Sequence, residues 1–202
     1  FALSNLVNSG ISKVGVITKE NYQSLMDHIG TAKSWDLDRK NGGLYFLPPY
    51  LTSGTKRYNG TVDALHGAID YIDRCNAEYI VLCNADTIAN INLNSAIKSH
   101  IEKKADVTVV YHKGKPPVNN ADLMLFSMNK AKRIESINFE TETDENTDYF
   151  AGSMIISREL LLRLVNDAYS EGQISFTRDV IAEMTDKLKI YGFEHKEFVA
   201  VL

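Results

Sequence analysis

Apolar and polar positions alternate along the chain in two rhythms. Short apolar runs at residues 14–17, 44–47, 79–83, 107–111 and 150–156 have the length and composition of strands. The run at 79–83, Tyr-Ile-Val-Leu-Cys, is apolar throughout and predicts a buried strand. Between the runs the period lengthens. Ala64, Leu65, Ala68, Ile69 and Ile72 recur at helical spacing, as do Ala96, Ile97 and Ile101, and then Leu160, Leu161, Leu164, Val165 and Ala168. Further helices are predicted at 2–9, stopped by Gly10, at 22–29 and at 177–188. Residues 123–128 and 133–139 fit a hairpin turning at 129–132, and 198–202 reads as a further strand. The polar stretches 51–59 and 140–148 read as exposed loops, the second acidic, and Gly42-Gly43 as a turn.

Strand, helix, strand, helix in this order predicts an α/β fold with crossover connections. With no repeat and no low-complexity linker, residues 1–202 form one domain built on a mixed sheet. Composition changes this picture little. The chain has 202 residues, 44% hydrophobic and 24% charged, the balance of a globular domain with a sizeable core. A net charge of -4 without a Lys/Arg-rich stretch argues against a nucleic-acid surface. The longest apolar run is far too short to cross a bilayer, so no membrane partner is expected. Two cysteines, Cys75 and Cys83, make no disulfide framework and fit a reduced, cytoplasmic setting. The five histidines show no metal-ligand spacing. The chain opens in a helical pattern without Met or a basic leader and stops within a strand, which reads as a fragment truncated at both ends.

Two places carry candidate chemistry. Asp86 follows the strand at 79–83, and the C-terminal ends of strands are where open α/β sheets place ligands and metals. A hard cation such as Mg²⁺ takes one or two such carboxylates together with phosphate oxygens. Asp86 reads equally well as the cap of a turn. Gly60-Thr61-Val62-Asp63 opens a helix whose N–H groups could meet an anion or a base edge. The same residues read as an N-cap by Thr61 with Asp63 favouring the helix dipole. Phosphate-loop, dinucleotide and nucleophile-elbow signatures are absent.

Several segments in one order resemble a known family. These are residues 1–11, Val16-Ile17-Thr18, residues 24–29, Trp35-Asp36-Leu37, Leu47-Pro48-Pro49-Tyr50 and residues 58–64. Together they are similar to the ADP-glucose pyrophosphorylases (glucose-1-phosphate adenylyltransferases), which make ADP-glucose and pyrophosphate from ATP and glucose 1-phosphate for glycogen or starch. The resemblance implies a Rossmann-like nucleotidyltransferase fold with a mixed, mainly parallel sheet. It also implies a glycine-rich triphosphate loop upstream of Phe1 and a C-terminal β-helix domain, neither within this chain. It places Tyr58, with Gly60, Thr61 and Asp63, on the nucleotide side, Ser153 beside the sugar, and Asp86 on Mg²⁺.

The resemblance also marks departures. The family's Phe-x-Glu-Lys-Pro supplies a lysine to the sugar phosphate, and residues 137–141 here read Ile-Asn-Phe-Glu-Thr, with no lysine between Arg133 and Arg158. A second metal carboxylate is replaced by Ser175, and a glycine near the sugar by Met124. A glutamate repels phosphate where a lysine would hold it. The pattern is similar to the regulatory-type subunit of bacterial glycogen synthesis, which implies little or no activity alone and a hetero-oligomer with a catalytic ADP-glucose pyrophosphorylase subunit. The alternatives are an active enzyme recruiting Lys113 or Lys115, or a sensor of nucleotide or sugar phosphate such as ATP, glucose 1-phosphate or ADP-glucose.

Overall fold

Side chains on successive strand residues point to opposite faces, and the long apolar strands here therefore feed two cores. The computed structural model describes residues 1–19, 22–40, 42–49, 57–116, 123–140 and 146–201. The chain runs α1 (Ala2–Asn8), β1 (Lys13–Ile17), α2 (Gln23–Ile29), β2 (Gly43–Leu47), α3 (Thr61–Gly67), α4 (Ile69–Asp73), β3 (Tyr79–Cys83), β4 (Thr87–Ala89) and α5 (Leu93–Glu102). It continues β5 (Val107–Gly114), β6 (Leu123–Met128), β7 (Ile134–Glu140), β8 (Thr147–Ser157), α6 (Arg158–Ser170), β9 (Ile190–Glu194) and β10 (Val199–Val201).

The main sheet has six strands, ordered β7-β6-β8-β5-β9, with β3 also paired to β8. Val107, Val109, Tyr111, Met154 and Ile156 face α3, α4 and α6. Val110, Ala151 and Ile155 face α1 and α5 on the other side. The α6 stripe predicted from its period, Leu160, Leu161, Leu164, Val165 and Ala168, is buried as a unit. Ser157 caps α6 by accepting from the Leu160 N–H at 3.3 Å.

The sheet is mixed, as the resemblance implied, but it is not mainly parallel. β5–β9 and β1–β2 are parallel, whereas β8 runs antiparallel to β3, β5 and β6, and β6–β7 is an antiparallel hairpin. The cause is β8, which enters between β3 and β5 and runs against two strands that share a direction. Its insertion also corrects the expectation for β3. All five residues of β3 are only half-buried, because β8 flanks one edge alone among the described residues.

Three further differences have local causes. The helix from Thr61 breaks at Ala68 (φ -96, ψ 4), beside Gly67, whose bare Cα leaves room for the Tyr58 ring. Residues 177–188 do not form an α-helix. Phe176–Ile181 is a π-helical turn followed by a 3₁₀ turn at Ala182–Met184. Here Asp179 bends back to accept from the Ile174 and Ser175 N–H groups. β9 was not anticipated, since Gly192 interrupts its apolar pattern. A Cβ there would lie 2.5 Å from Met128 Sδ and 2.9 Å from Tyr111 Cδ1. β4 is a three-residue strand that no apolar run marks, and β10 pairs with it antiparallel. Most of the predicted loops at 51–59 and 140–148 lies outside the described residues. No helix among the described residues is long and apolar enough to cross a membrane.

Candidate functional site

The sequence places its candidates at two points, and the structure builds each into a separate hydrogen-bonded group. The first joins the start of α3 to the loop before the π-helical turn. Thr61 Oγ1 accepts from the Phe176 N–H at 2.8 Å, and the Ile174 carbonyl accepts from the Val62 N–H at 3.0 Å. Asp63 Oδ2 accepts from the Asn59 N–H at 3.0 Å. Gly60 is where the two backbones come closest, for a Cβ there would collide with the Ile174 carbonyl. The Tyr58 ring lies against Gly67, with 2.8 Å between Tyr58 Cε1 and the point a Cβ would occupy. Thr61 and Asp63 thus bond loop backbone of the domain itself. The Thr61 side chain reaches residue 176 instead of capping its own helix, and α3 has no side-chain cap.

Ser175 and Asp179 complete this group. Asp179 Oδ2 accepts from Ile174 N–H at 2.9 Å and Ser175 N–H at 2.8 Å. The Ser175 bond, then the Ile174 bond, hold the Asp179 carboxyl below the usual carboxylate range against a smaller opposing effect of burial. Ser175 Oγ accepts from the Arg178 N–H at 3.2 Å. Where the resemblance expects a metal carboxylate, the chain has a hydroxyl capping its own turn.

The second group surrounds the end of β3. Ser153 on β8 is 5% exposed, and its Oγ lies 3.4 Å from Cys83 Sγ. Burial, partly offset by Ser153, raises the Cys83 thiol pKa. Ser153, Cys83, Asn84 and Thr87 line a shallow depression with Ala2, Asn5 and Ile91. Gly152, at φ 75, leaves room for Thr87, whose Cβ would stand 2.8 Å from a Cβ at that position. Asp86 is exposed, with Oδ1 accepting from Thr87 Oγ1 at 3.4 Å. Asp86 and Ser153 therefore share one end of the β3–β8 pair. The side chains of α3 pack on the opposite sheet face from the β4 and α1 side, where Ser153 lies. Periodicity could not reveal Gly152 or Asp179. Their roles depend on a positive φ and on a backward bend of the chain.

For Mg²⁺ the donor set is incomplete. Asp86 offers a carboxylate, but no group of three or more His, Cys, Asp or Glu able to hold a metal occurs among the described residues. A cation here would depend on ligand oxygens to complete its shell.

The sugar-side departures meet at the β6–β7 hairpin. Met124 pairs with Phe139 and is 4% exposed within the core. The Arg178 guanidinium lies 4.4 Å from the Phe139 ring centroid, one residue before Glu140. Lys113 is exposed on β5, in register with Asp148.

A family model for nucleotidyl transferases matches residues 1–160. The chain belongs to the nucleotidyl transferase family. Within this family it is 34% identical to a glucose-1-phosphate adenylyltransferase of Bacillus mycoides (strain KBAB4), over 96% of this chain and 53% of that protein. It is 41% identical to the glycogen biosynthesis protein GlgD of Geobacillus stearothermophilus, over 57% of this chain and 34% of that one. The chain thus spans about half the length of the first of these relatives and about a third of the second. The crystal structure of HddC from Yersinia pseudotuberculosis superposes with a TM-score of 0.71, covering 98% of this chain and 76% of that one at 15% identity, a likeness of fold. These relatives place the chain among nucleotidyl transferases of the ADP-glucose pyrophosphorylase type.

Proposed function

We propose that the protein containing this domain is a subunit of an ADP-glucose pyrophosphorylase in cytoplasmic glycogen synthesis, with little or no turnover of its own. In this reading it regulates a catalytic partner subunit. The observation that carries it is the loss of charge at two matched positions and a change of shape at a third. Glu140 lies in the stretch where relatives of this type hold the sugar phosphate with lysine. Ser175 caps its own turn where a carboxylate is expected. Met124 puts a buried side chain where a glycine is expected.

Magnitude supports the reading. One preorganised charge-stabilising group is worth about 10²–10³-fold in rate, so losing two leaves little catalysis. The framework can still bind. The α3 start and its loop, the Tyr58 ring and the Ser153–Asp86 end of the sheet remain as surfaces for ATP, glucose 1-phosphate or ADP-glucose. A Mg²⁺ ion at Asp86 would be weakly held.

The test is ADP-glucose formation by the full-length protein, alone and mixed with a catalytic subunit. The expected result is negligible turnover alone and a higher rate or altered effector response in the mixture. Robust turnover by the protein alone would overturn the reading. In that case Arg178, over the Phe139 ring on the strand that carries Glu140, becomes a candidate for a substitute cation beside Lys113 and Lys115, and Arg178→Ala should abolish the turnover.

A further inference from the structure

A buried histidine and a half-buried neighbour secure the connection from β9 to β10. His195 is 7% exposed, and its Nε2 has no hydrogen-bond partner among the described residues. Its backbone is pinned twice. The His195 N–H donates to the Tyr111 carbonyl at 2.7 Å, and its carbonyl lies 2.8 Å from His112 Nδ1. A carbonyl only accepts, so His112 must carry its proton on Nδ1. The two imidazoles lie 6.5 Å apart, and the edge of His112 meets Tyr149 on β8. Beyond His195 the chain is exposed for three residues and then forms β10, which pairs Val199 with Ala89 and Val201 with Thr87. The His195 anchor therefore leads directly into the strand that holds the Asp86–Thr87 loop.

We propose that His195 is an acid-sensitive latch, which holds β10 on β4 while its imidazole is neutral and releases it on protonation. The geometry gives the reason. A cation at this position would be buried, with one ring nitrogen lacking an acceptor and a second imidazole on the neighbouring strand. The charged and titratable groups around it do not compensate. Glu197, on the exposed connection, favours the charged form, and so does a backbone bond with Phe198. Burial is the largest effect and opposes it, joined by His112. Lys196 is exposed on the same connection, Glu194 accepts from Tyr111 Oη at 3.5 Å, and Asp148 and Tyr149 lie on β8. The His195 pKa lies below the ordinary imidazole value, so the latch is fully closed above about pH 6.5 and opens as the pH falls through the lower folded value. This inference does not depend on the proposed function.

Amide hydrogen exchange of the full-length protein, corrected for intrinsic rates, tests it. Between about pH 7.5 and about pH 5, protection at 195–201 should fall measurably, and by more than elsewhere in the sheet. Protection in β8 and α6 should fall by less, following only the overall decline in stability. His195→Gln should flatten the response, and His112→Asn should lower protection at every pH while leaving the acid step in place. The latch is overturned by unchanged protection at 195–201, by an equal loss in β8 and α6, by an acid step that survives in His195→Gln, or by one that vanishes in His112→Asn. The regional comparison in the wild-type protein decides the matter even if the His195 variant fails to fold.

Discussion

Gly60→Ala should destabilise the domain through the loop packed on it, with no strain of its own backbone. Gly60 has φ 179, extended geometry that alanine also adopts. What alanine lacks is space. Its Cβ would collide with the Ile174 carbonyl and come within 2.5 Å of Ile174 Cγ2. The loop must then move off α3, stretching the bonds from Val62 N–H to the Ile174 carbonyl and from Phe176 N–H to Thr61 Oγ1. Each such bond is worth about 1 kcal/mol net. Overpacking adds about 1–3 kcal/mol. Ile174 is 57% exposed and can swing outward, so the lower part of that range applies. The sum is about 3 kcal/mol, and at about 2–4 °C per kcal/mol for a domain of this size Tm should fall by roughly 6–12 °C. Calorimetry of the full-length variant measures it. Ile174→Ala in the same chain should recover only part of the loss, because the colliding carbonyl remains. A Tm within about 2 °C of wild type would refute the account, since it would mean that Gly60 is not packed against Ile174.

Other expectations follow from the same contacts. Asp179→Ala removes the acceptor of two backbone N–H groups and should cost about 1–2 kcal/mol by denaturant unfolding, with Asp179→Asn losing less. Because the folded Asp179 pKa is depressed, its contribution is present above about pH 4 and lost as the pH falls through the lower folded value, so the wild-type-to-alanine difference should shrink in acid. His100, buried at 1% exposure with Nδ1 2.8 Å from Thr108 Oγ1, also has its pKa lowered mainly by burial. Overall stability should therefore be full above about pH 6.5 and decline below it, and His100→Gln should flatten that decline in urea titrations. Glu140→Lys combined with Ser175→Asp should raise ADP-glucose formation by the full-length protein by at least about tenfold, a fraction of the 10²–10³ that each group supplies in a fitted site. Aspartate at 175 can still accept from the Arg178 N–H, so the turn should survive the change.

The fold was legible where one physical signal dominated. β1, β2, β5 and β8 were each marked by a short apolar run, and α5 and α6 by a stripe at helical period, since burial of one face decides such elements. Legibility failed where a long-range partner overruled the local pattern. Tyr79-Ile80-Val81-Leu82-Cys83 has the composition of a doubly flanked strand, yet its burial depends on how many neighbours reach it, which composition does not encode. Residues 177–188 carry helical periodicity, but Asp179 satisfies backbone donors five and four residues behind it and rewinds the turn. Gly192 looked like an interruption because its function is to make room for Met128 and Tyr111, which are distant in sequence.

For the site, residue types were legible and their partners were not. Thr61 and Asp63 were singled out with two readings open, and the contacts show both side chains bonded to the domain's own backbone. A loop held on α3 by Thr61, Asp179 and the close approach at Gly60 is bonded in place by the domain's own groups. Its geometry therefore does not need the charges lost at Ser175 and Glu140. Chemistry depends on those charges, whereas a binding surface depends on the shape of the loop and the helix. A domain that keeps its shape-determining contacts while shedding the charges of transition-state stabilisation retains what is needed to bind and to transmit binding, and loses what is needed to turn over. Under the proposed function this asymmetry fits a regulatory subunit, a role that uses the binding surface and does not need the charges.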